Sequence, residues 1–555
     1  MNSFADIVIH NARVMTQQPG APEADWIAVS GRTVSALGLG SAARHIGPQT
    51  RVVDAGGATV LPGLNDAHLH LFAGGLSLSQ LSLVGVSGQT DFRAAVAAYR
   101  ASRPGLSFLA ASGCDYRILG QTPLDRHALD AICPDIPMLV MAADYHTAWA
   151  NTAALQLAGI AQGADVGEGS EIVLDAGGRA SGELREFAAI DSVRACNPAA
   201  KTHSRAAQAP LELPEVTEAE RAADKEVLWQ ALLHCATQGL TAVQNMDGSL
   251  YQLDLLAELD RDRGLPVRVR MPFQITEGMS PEALAQAARW RRSYATPMLR
   301  CDFVKIFADG VIESGTANLV ADYAHLPGHS GAPLLCDDHL RALVVEADRL
   351  GFQIAVHCVG DGAVRQVLDA FEVARRQNGW REARHRIEHI ELVDAGDLGR
   401  FARWGVVAST QPTHVPEAGE GYLDLIGTQR SSAAFAVADL RDAGAEIVFS
   451  TDWPIAPLSP FLTLEAALAR PDWPGARDHR VGLAAALGAI TRAAAWIAFD
   501  EAERGRLTPG MLADLTLLDR DLSVCPLSEI ATTTARLTIC DGQVTHDTIS
   551  PLSRA

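Results

Sequence analysis

From about Asp302 onward, short apolar runs rich in β-branched residues alternate with helix-like stretches. The runs are Phe303–Ala308, Ile354–Cys358, Arg384–His389, Val406–Gln411 and Ile447–Asp452. Between them lie segments with helical spacing, such as His339–Leu350, Ala363–Asn378 and Asp394–Trp404. Strand–helix alternation repeated this often predicts a parallel sheet, open or closed into a barrel. Thr241–Met246 and Val267–Pro272 precede the series at regular spacing and supply barrel strands two and three. Phe72 to about Ala236 then becomes a long insertion after strand one. It has strand candidates at Leu106–Gly113 and Pro137–Ala143, and a hairpin, Glu171–Leu174 with Arg179–Leu184, around the turn Asp175-Ala176-Gly177-Gly178. The Pro- and Ala-rich stretch Asn197–Glu218 reads as a loop. An insertion at that point emerges on the active-site face of a barrel and is expected to cap the pocket.

The two ends of the chain follow a different rhythm. Asp6–Met15, Trp26–Ser30, Thr33–Ala36 and Thr50–Val53 read as short strands punctuated by glycines, and so do Leu515–Leu518, Leu537–Cys540 and Gly542–Val544. They are expected to join in one small sheet. The organisation expected is a β-rich unit over residues 1–60 and a barrel over 61–495 carrying an insertion at about 73–236. Residues 496–555 then return to the β-rich unit.

Composition narrows the function classes. The chain has 555 residues, 48% hydrophobic and 20% charged, and no apolar run approaches the roughly 18 residues of a membrane span. A formal charge of −20 opposes affinity for nucleic acid or an anionic membrane surface. Nine scattered cysteines without a Cys-x-x-Cys pair predict reduced thiols. Met1–Asp6 leads straight into the strand-like Ile7-Val8-Ile9 without the features of a signal peptide, so the expected location is the cytoplasm. The partners expected are a small-molecule substrate and, at most, a second copy of the chain in a homodimer.

The candidate chemistry sits at strand ends. In Leu61-Pro62-Gly63-Leu64-Asn65-Asp66-Ala67-His68-Leu69-His70, residues i and i+2 of an extended segment share a face, so His68 and His70 can aim two imidazoles at one point. Lys305 lies inside an apolar strand, where an isolated ammonium is costly and has to be paired, neutral or modified. His357 and His389 end the next two strand candidates, and Asp452 ends the last. Alternation places His385, Ile387 and His389 on one face and Glu388 on the other; His385 reads as a satisfied buried histidine and His389, at the mouth, as the ligand candidate. Gly328-His329-Ser330-Gly331-Ala332 nearly spells a nucleophile elbow, but it lacks the final glycine and a preceding strand.

Taken together, these pieces resemble the metal-dependent amidohydrolase superfamily, and within it the amidohydrolase 3 or YtcJ-like group that includes N-substituted formamide deformylases. The resemblance rests on Pro62–His70, Gly239-Leu240-Thr241-Ala242-Val243, Val304–Gly310, Val356–Asp361, Arg386-Ile387-Glu388-His389, Gln411-Pro412, Ser450–Pro454 and Gly510–Asp514, in the family's order along nearly the whole chain. It implies an α/β protein: a (β/α)8 TIM-type barrel with a composite β-sandwich domain from both termini and a large insertion after barrel strand 1. It also implies that His68, His70, Lys305, His357, His389 and Asp452 hold one or two divalent metals, with Lys305 N-carboxylated in many relatives. Such a donor set suits zinc, with manganese, iron or cobalt as alternatives. The chemistry implied is hydrolysis of an amide or formamide carbon–nitrogen bond by a metal-activated water whose pKa falls towards ~7. Asp452 would move the proton. Rival readings are an ester, lactone or cyclic-amide hydrolase on the same scaffold, and a non-catalytic metal-binding sensor or regulator.

Two further residues enter with the resemblance. His146, in Asp144-Tyr145-His146-Thr147-Ala148-Trp149-Ala150-Asn151, matches a Gly-His-Ser/Thr-x-x-x-Asn run of relatives, with Tyr145 where glycine is usual. It is a candidate for polarising a substrate carbonyl, or else a histidine at a helix start. With six ligand candidates already present, Asp66 is assigned to orienting them or to capping the strand end.

Overall fold

The computed structural model describes residues 4–143, 145–167, 169–415 and 421–549. Eight parallel strands form its centre: β1 (Leu64–Leu69), β2 (Leu240–Asn245), β3 (Arg268–Gln274), β4 (Leu299–Phe307), β5 (Gln353–Cys358), β6 (Arg386–His389), β7 (Val407–Thr410) and β8 (Ile447–Phe449). They pair in sequence order from β1 to β8. Closure between β8 and β1 is made at their C-terminal ends. The Asp452 N–H donates to His68 O (2.8 Å), and the His70 N–H donates to Trp453 O (2.7 Å). The bonds that round off the barrel therefore also bring the histidine pair and the aspartate together.

Asp66 reinforces this seam. Its buried carboxylate accepts from the His68 N–H (3.1 Å), the Thr451 N–H (3.3 Å) and the Thr451 hydroxyl (2.5 Å). Burial raises its pKa to about 6 against those hydrogen bonds.

The strand alternation predicts the layering. Val304, Ile306, Ile354, Val356 and Ile387 face outward and share one large core with the helices Asp337–Arg349 and Asp361–Asn378. Inward-facing positions are mixed. Met246, Phe303 and Ala355 form a small apolar cluster, while buried Arg386 donates to Gln244 Oε1 (3.0 Å) and Ala67 O (2.8 Å). Arg386 also pairs with Glu388 at 2.6 Å.

The flanking strands make two sheets, not one. Arg13–Val14, Thr59–Pro62, Leu515–Leu518, Ala535–Cys540 and Gln543–Asp547 form a five-stranded sheet from both ends of the chain. Ile7–His10, Trp26–Ser30, Thr33–Gly38 and Arg51–Asp54 form a four-stranded sheet from the N-terminal side alone. The break lies at Asn11, whose φ of +53° ends the first run and sends its two halves to different sheets. Ile9, Ile27, Val60, Leu515 and Leu537 share one core, which makes the pair a sandwich.

The insertion carries a six-stranded sheet in the order Glu171–Leu174, Ala180–Arg185, Thr147–Ala150, Met138–Ala142, Leu109–Cys114, Leu81–Ser82. Within the stretch read as a loop, Lys201–Gln208 is helical and buries Thr202 and Ala206 on one face and Ser204 on the other; Pro210 follows its end. The helix Glu218–Thr237, opened by a Thr217–Glu220 capping box, returns the chain to β2. Among the described residues, no helix is long and apolar enough to cross a membrane.

Candidate metal centre

Four histidine rings meet at the C-terminal mouth of the barrel. Ring centroids lie 5.6 Å apart for His68 and His70, 4.9 Å for His68 and His389, and 4.5 Å for His357 and His389. Each has one nitrogen held by an acceptor. His68 Nδ1 lies 2.8 Å from Glu388 Oε2, His70 Nδ1 2.6 Å from Asp247 Oδ1, and His389 Nδ1 3.0 Å from Gln411 Oε1. His357 is held through its other nitrogen, Nε2, 3.1 Å from Gly310 O. An acceptor at one nitrogen fixes the proton there and leaves a lone pair on the other, which is how metal-ligating histidines are prepared.

Asp452 sits among them. Its Oδ1 lies 3.2 Å from both His68 Nε2 and His70 Nε2, and its Oδ2 lies 3.8 Å from His389 Nδ1. Among the described residues, two sets of donor atoms fall within 4.8 Å of one another: His68, His70 and Asp452, and His389, His414 and Asp452. His357 belongs to neither set and joins the cluster through its ring contact with His389.

The electrostatics call for a cation. Burial would lower the His70 pKa, but the carboxylates of Asp247 and Asp452 outweigh it and raise it to about 10. Burial would raise the Asp452 pKa, but His68, His70 and His389 hold it well below the ordinary carboxylate range. A proton on His70 thus does what a metal ion would do. Lys305 is fully buried on β4, and among the described residues its Nζ has no hydrogen-bond partner. Burial lowers its pKa to about 8, against the pull of Glu388 and Asp452. Asp452 Oδ1, which faces only the two imidazole Nε2 atoms at 3.2 Å, is an atom a metal would satisfy. The donor set fits a divalent ion.

His389 lies at the mouth, as alternation predicts, but not on the face that His385 and Ile387 share. Along β6 it is Arg386 and Glu388 that point into the barrel, with Glu388 on His68, while His385 faces the helix layer. His389 has φ +71° and Ile390 +53°, so the strand leaves extended geometry at the histidine and turns its ring inward. Asp452 has φ +60°. Non-glycine residues in this region cost of order 1–3 kcal/mol each and cluster at functional sites.

His146 is not at a helix start. It opens the strand Thr147–Ala150 of the insertion; Asn151 is the residue that caps the helix Thr152–Leu157. Asp144 lies outside the described residues. Tyr145 adopts φ +63°, the conformation its glycine counterpart would take freely. His146 Nδ1 lies 2.7 Å from Glu186 Oε2, and its ring centroid lies 5.8 Å from that of His357. The insertion therefore delivers a histidine to the barrel mouth, with Phe187 beside it at 5.1 Å.

Residues 51–546 match the model of the amidohydrolase family. The chain belongs to that family. It is 28% identical over 511 residues to the putative amidohydrolase YtcJ of Bacillus subtilis, covering 90% of this chain and 91% of that protein. It is 26% identical to the N-substituted formamide deformylase of Arthrobacter pascens, covering 99% of both. An uncharacterized metal-dependent hydrolase from Pyrococcus horikoshii, solved by crystallography, has the same fold at a TM-score of 0.72 and 25% identity, with 94% of this chain and 99% of that one covered. As a member of the amidohydrolase family with such neighbours, this protein is a metal-dependent hydrolase that takes a divalent metal.

Sequence reasoning did not assign roles to Asp247, Gln411 or His414. Asp247 stands two residues beyond β2, Gln411 directly follows β7, and His414 lies in the short turn Pro412–His414. Only the polar residues just past each strand end could have pointed to them.

Proposed function

We propose that this amidohydrolase cleaves a carbon–nitrogen bond of amide or formamide type in a small molecule. His68, His70, His357, His389 and Asp452 would hold the divalent metal, zinc first among the candidates. Lys305 would contribute as an N-carboxylate, made by adding carbon dioxide to its neutral amine with loss of a proton. The observation that carries the reading is the shared preparation of the four histidines: each has one nitrogen held by Glu388, Asp247, Gln411 or the Gly310 carbonyl, and three of them, His68, His70 and His389, lie within 3.8 Å of the Asp452 carboxylate. The formamide deformylase similarity over 99% of both chains supports the bond class.

A bound divalent metal supplies a water acidic near neutral pH and polarisation of the scissile carbonyl. The chain's own residues do the rest. Asp452, ionised at any working pH, accepts the proton of the attacking water and passes it to the leaving nitrogen. Glu388 and Asp247 keep the His68 and His70 rings in register. His146, fixed by Glu186 and with its ring 5.8 Å from that of His357, would polarise the substrate carbonyl. Phe187 and Phe307, 6.0 Å apart and edge to face, line the approach.

Elemental analysis with intact mass tests the site. Two metals per chain and the mass of a carboxyl group on Lys305 establish a binuclear centre; one metal and an unmodified lysine leave Lys305 as a neutral or ion-paired amine. A fully metal-loaded protein inert towards a panel of amides and formamides, but active on esters or lactones, would overturn the bond class.

A further inference from the structure

A cavity adjoining the metal centre is lined both by His389 and Gln411 and by Arg470 and His479, with Phe435 and Phe449 among its apolar wall. Arg470 is only 6% exposed. Its guanidinium donates to two backbone carbonyls, those of Phe435 and Ala434 (3.0 Å to the latter), and among the described residues no carboxylate comes within salt-bridge distance. Arg270 and Arg386, equally buried, have Asp302 and Glu388 at 2.7 and 2.6 Å. A guanidinium has five N–H donors, of which two backbone carbonyls take two; the group lies over the Phe435 and Trp473 rings, 6.0 and 5.8 Å from their centroids, and lines the cavity. Burial lowers the Arg470 pKa only to about 10, with Asp478 pulling the other way, so the side chain remains a cation.

His479 adds a second donor. Its Nδ1 accepts from the Ala438 N–H (3.2 Å), which puts the ring proton on Nε2. Among the described residues that buried Nε2 has no hydrogen-bond partner, with Asp439 Oδ2 at 3.9 Å, beyond hydrogen-bond distance. A buried cation beside an unsatisfied N–H donor, in a cavity shared with a metal-site histidine, is a recognition element for an anion with two acceptor oxygens.

We propose that Arg470 and His479 form a subsite for a small carboxylate next to the reaction centre. The inference rests on the hydrolase reading above, because cleavage of an amide or formamide leaves the acyl half as a carboxylate. A substrate carrying its own carboxylate would present the same group.

Acetate and formate are the probes, used on the metal-loaded protein. The expected result is a saturable rise in melting temperature with either anion, with the half-saturating concentration raised at least tenfold in Arg470→Gln, less in His479→Phe, and least in Arg470→Lys. Metal content measured alongside shows whether the centre is intact. Equal responses in wild type and Arg470→Gln would place the anion at the metal and overturn the subsite; so would no response in wild type. If Arg470→Gln does not fold, Arg470→Lys and His479→Phe are read against wild type by the same criteria. Kinetics separates the two sources. A substrate carboxylate predicts a raised KM in Arg470→Gln only for the acid member of an acid–amide substrate pair; a product carboxylate predicts weakened product inhibition with KM unchanged for both. The thermal readout needs no turnover, so a protein inert on every amide can still show the subsite, and an active one can still lack it.

Discussion

Two buried histidines, each on a carboxylate, show how this barrel separates structure from chemistry. His385 lies in the helix layer behind β6, stacked on Phe371 at 4.9 Å, with Nε2 on Asp348 (3.0 Å) and Nδ1 accepting the Ile354 N–H (3.1 Å). His68 lies at the barrel mouth with Nδ1 on Glu388 (2.8 Å) and Nε2 facing Asp452 at 3.2 Å. Both are about 1% exposed. Burial and a carboxylate partner therefore do not distinguish a ligand from a packed histidine; what distinguishes them is whether the second nitrogen is already used. In His385 it is closed by a backbone N–H. In His68 it opens on a cluster of groups that lack a donor or a cation.

The sharpest way to break this contrast is at the shared carboxylate. Asp452→Asn keeps the shape of the side chain but removes the base, and turnover is expected to fall about 10²–10⁴-fold. Elemental analysis of the same sample shows whether metal is retained. Full turnover with metal still bound would remove Asp452 from the reaction. Glu388→Gln comes next. It takes the negative charge from His68 and leaves the buried Arg386 without its partner, so metal affinity should fall about 10–100-fold and folding stability by about 3 kcal/mol. Competition with a chromogenic chelator and urea unfolding read the two effects. Unchanged metal affinity would mean that Glu388 serves only Arg386.

How much of this could be read from the sequence depends on where each residue sits relative to a strand. The barrel strands from β2 to β8 were legible mainly as short apolar or β-branched runs repeated between helical stretches; β6, Arg386-Ile387-Glu388-His389, is mostly polar and was legible only by its place in that series. Alternation worked as far as Glu388 and failed at His389, since a left-handed φ leaves no trace in periodicity. Asp247 and His414 were not legible because loop residues have no period. The Tyr145 position shows the converse. The resemblance puts glycine there, and Tyr145 adopts φ +63°, in the left-handed region that favours glycine, at a steric cost. The split of the N-terminal strands between two sheets turns on the single positive φ of Asn11, which no apolar pattern encodes.

The smallest effect sharpens the comparison from the structural side. Burial lowers the His385 pKa to about 4, against the pull of Asp348. Above pH 6.5, the ordinary histidine value, the side chain is neutral both folded and unfolded and costs the fold nothing. As pH falls below 6.5 the unfolded chain takes up a proton that the folded chain refuses, and stability is lost progressively down to about pH 4, where both forms bind it. The gap corresponds to a loss of about 3 kcal/mol from this one side chain, as an upper bound. Chemical unfolding between pH 7 and 4 should therefore be less steep in His385→Asn than in the wild type, while metal content and turnover at pH 7 change by no more than about twofold. A protonated imidazole cannot accept the Ile354 N–H, so the closed nitrogen that makes His385 inert towards metal is the same feature that makes it acid-sensitive. If His385→Asn instead lost metal or turnover and kept the wild-type pH slope, the closed-nitrogen criterion would fail, and the two histidines would not differ in the way their hydrogen bonds imply.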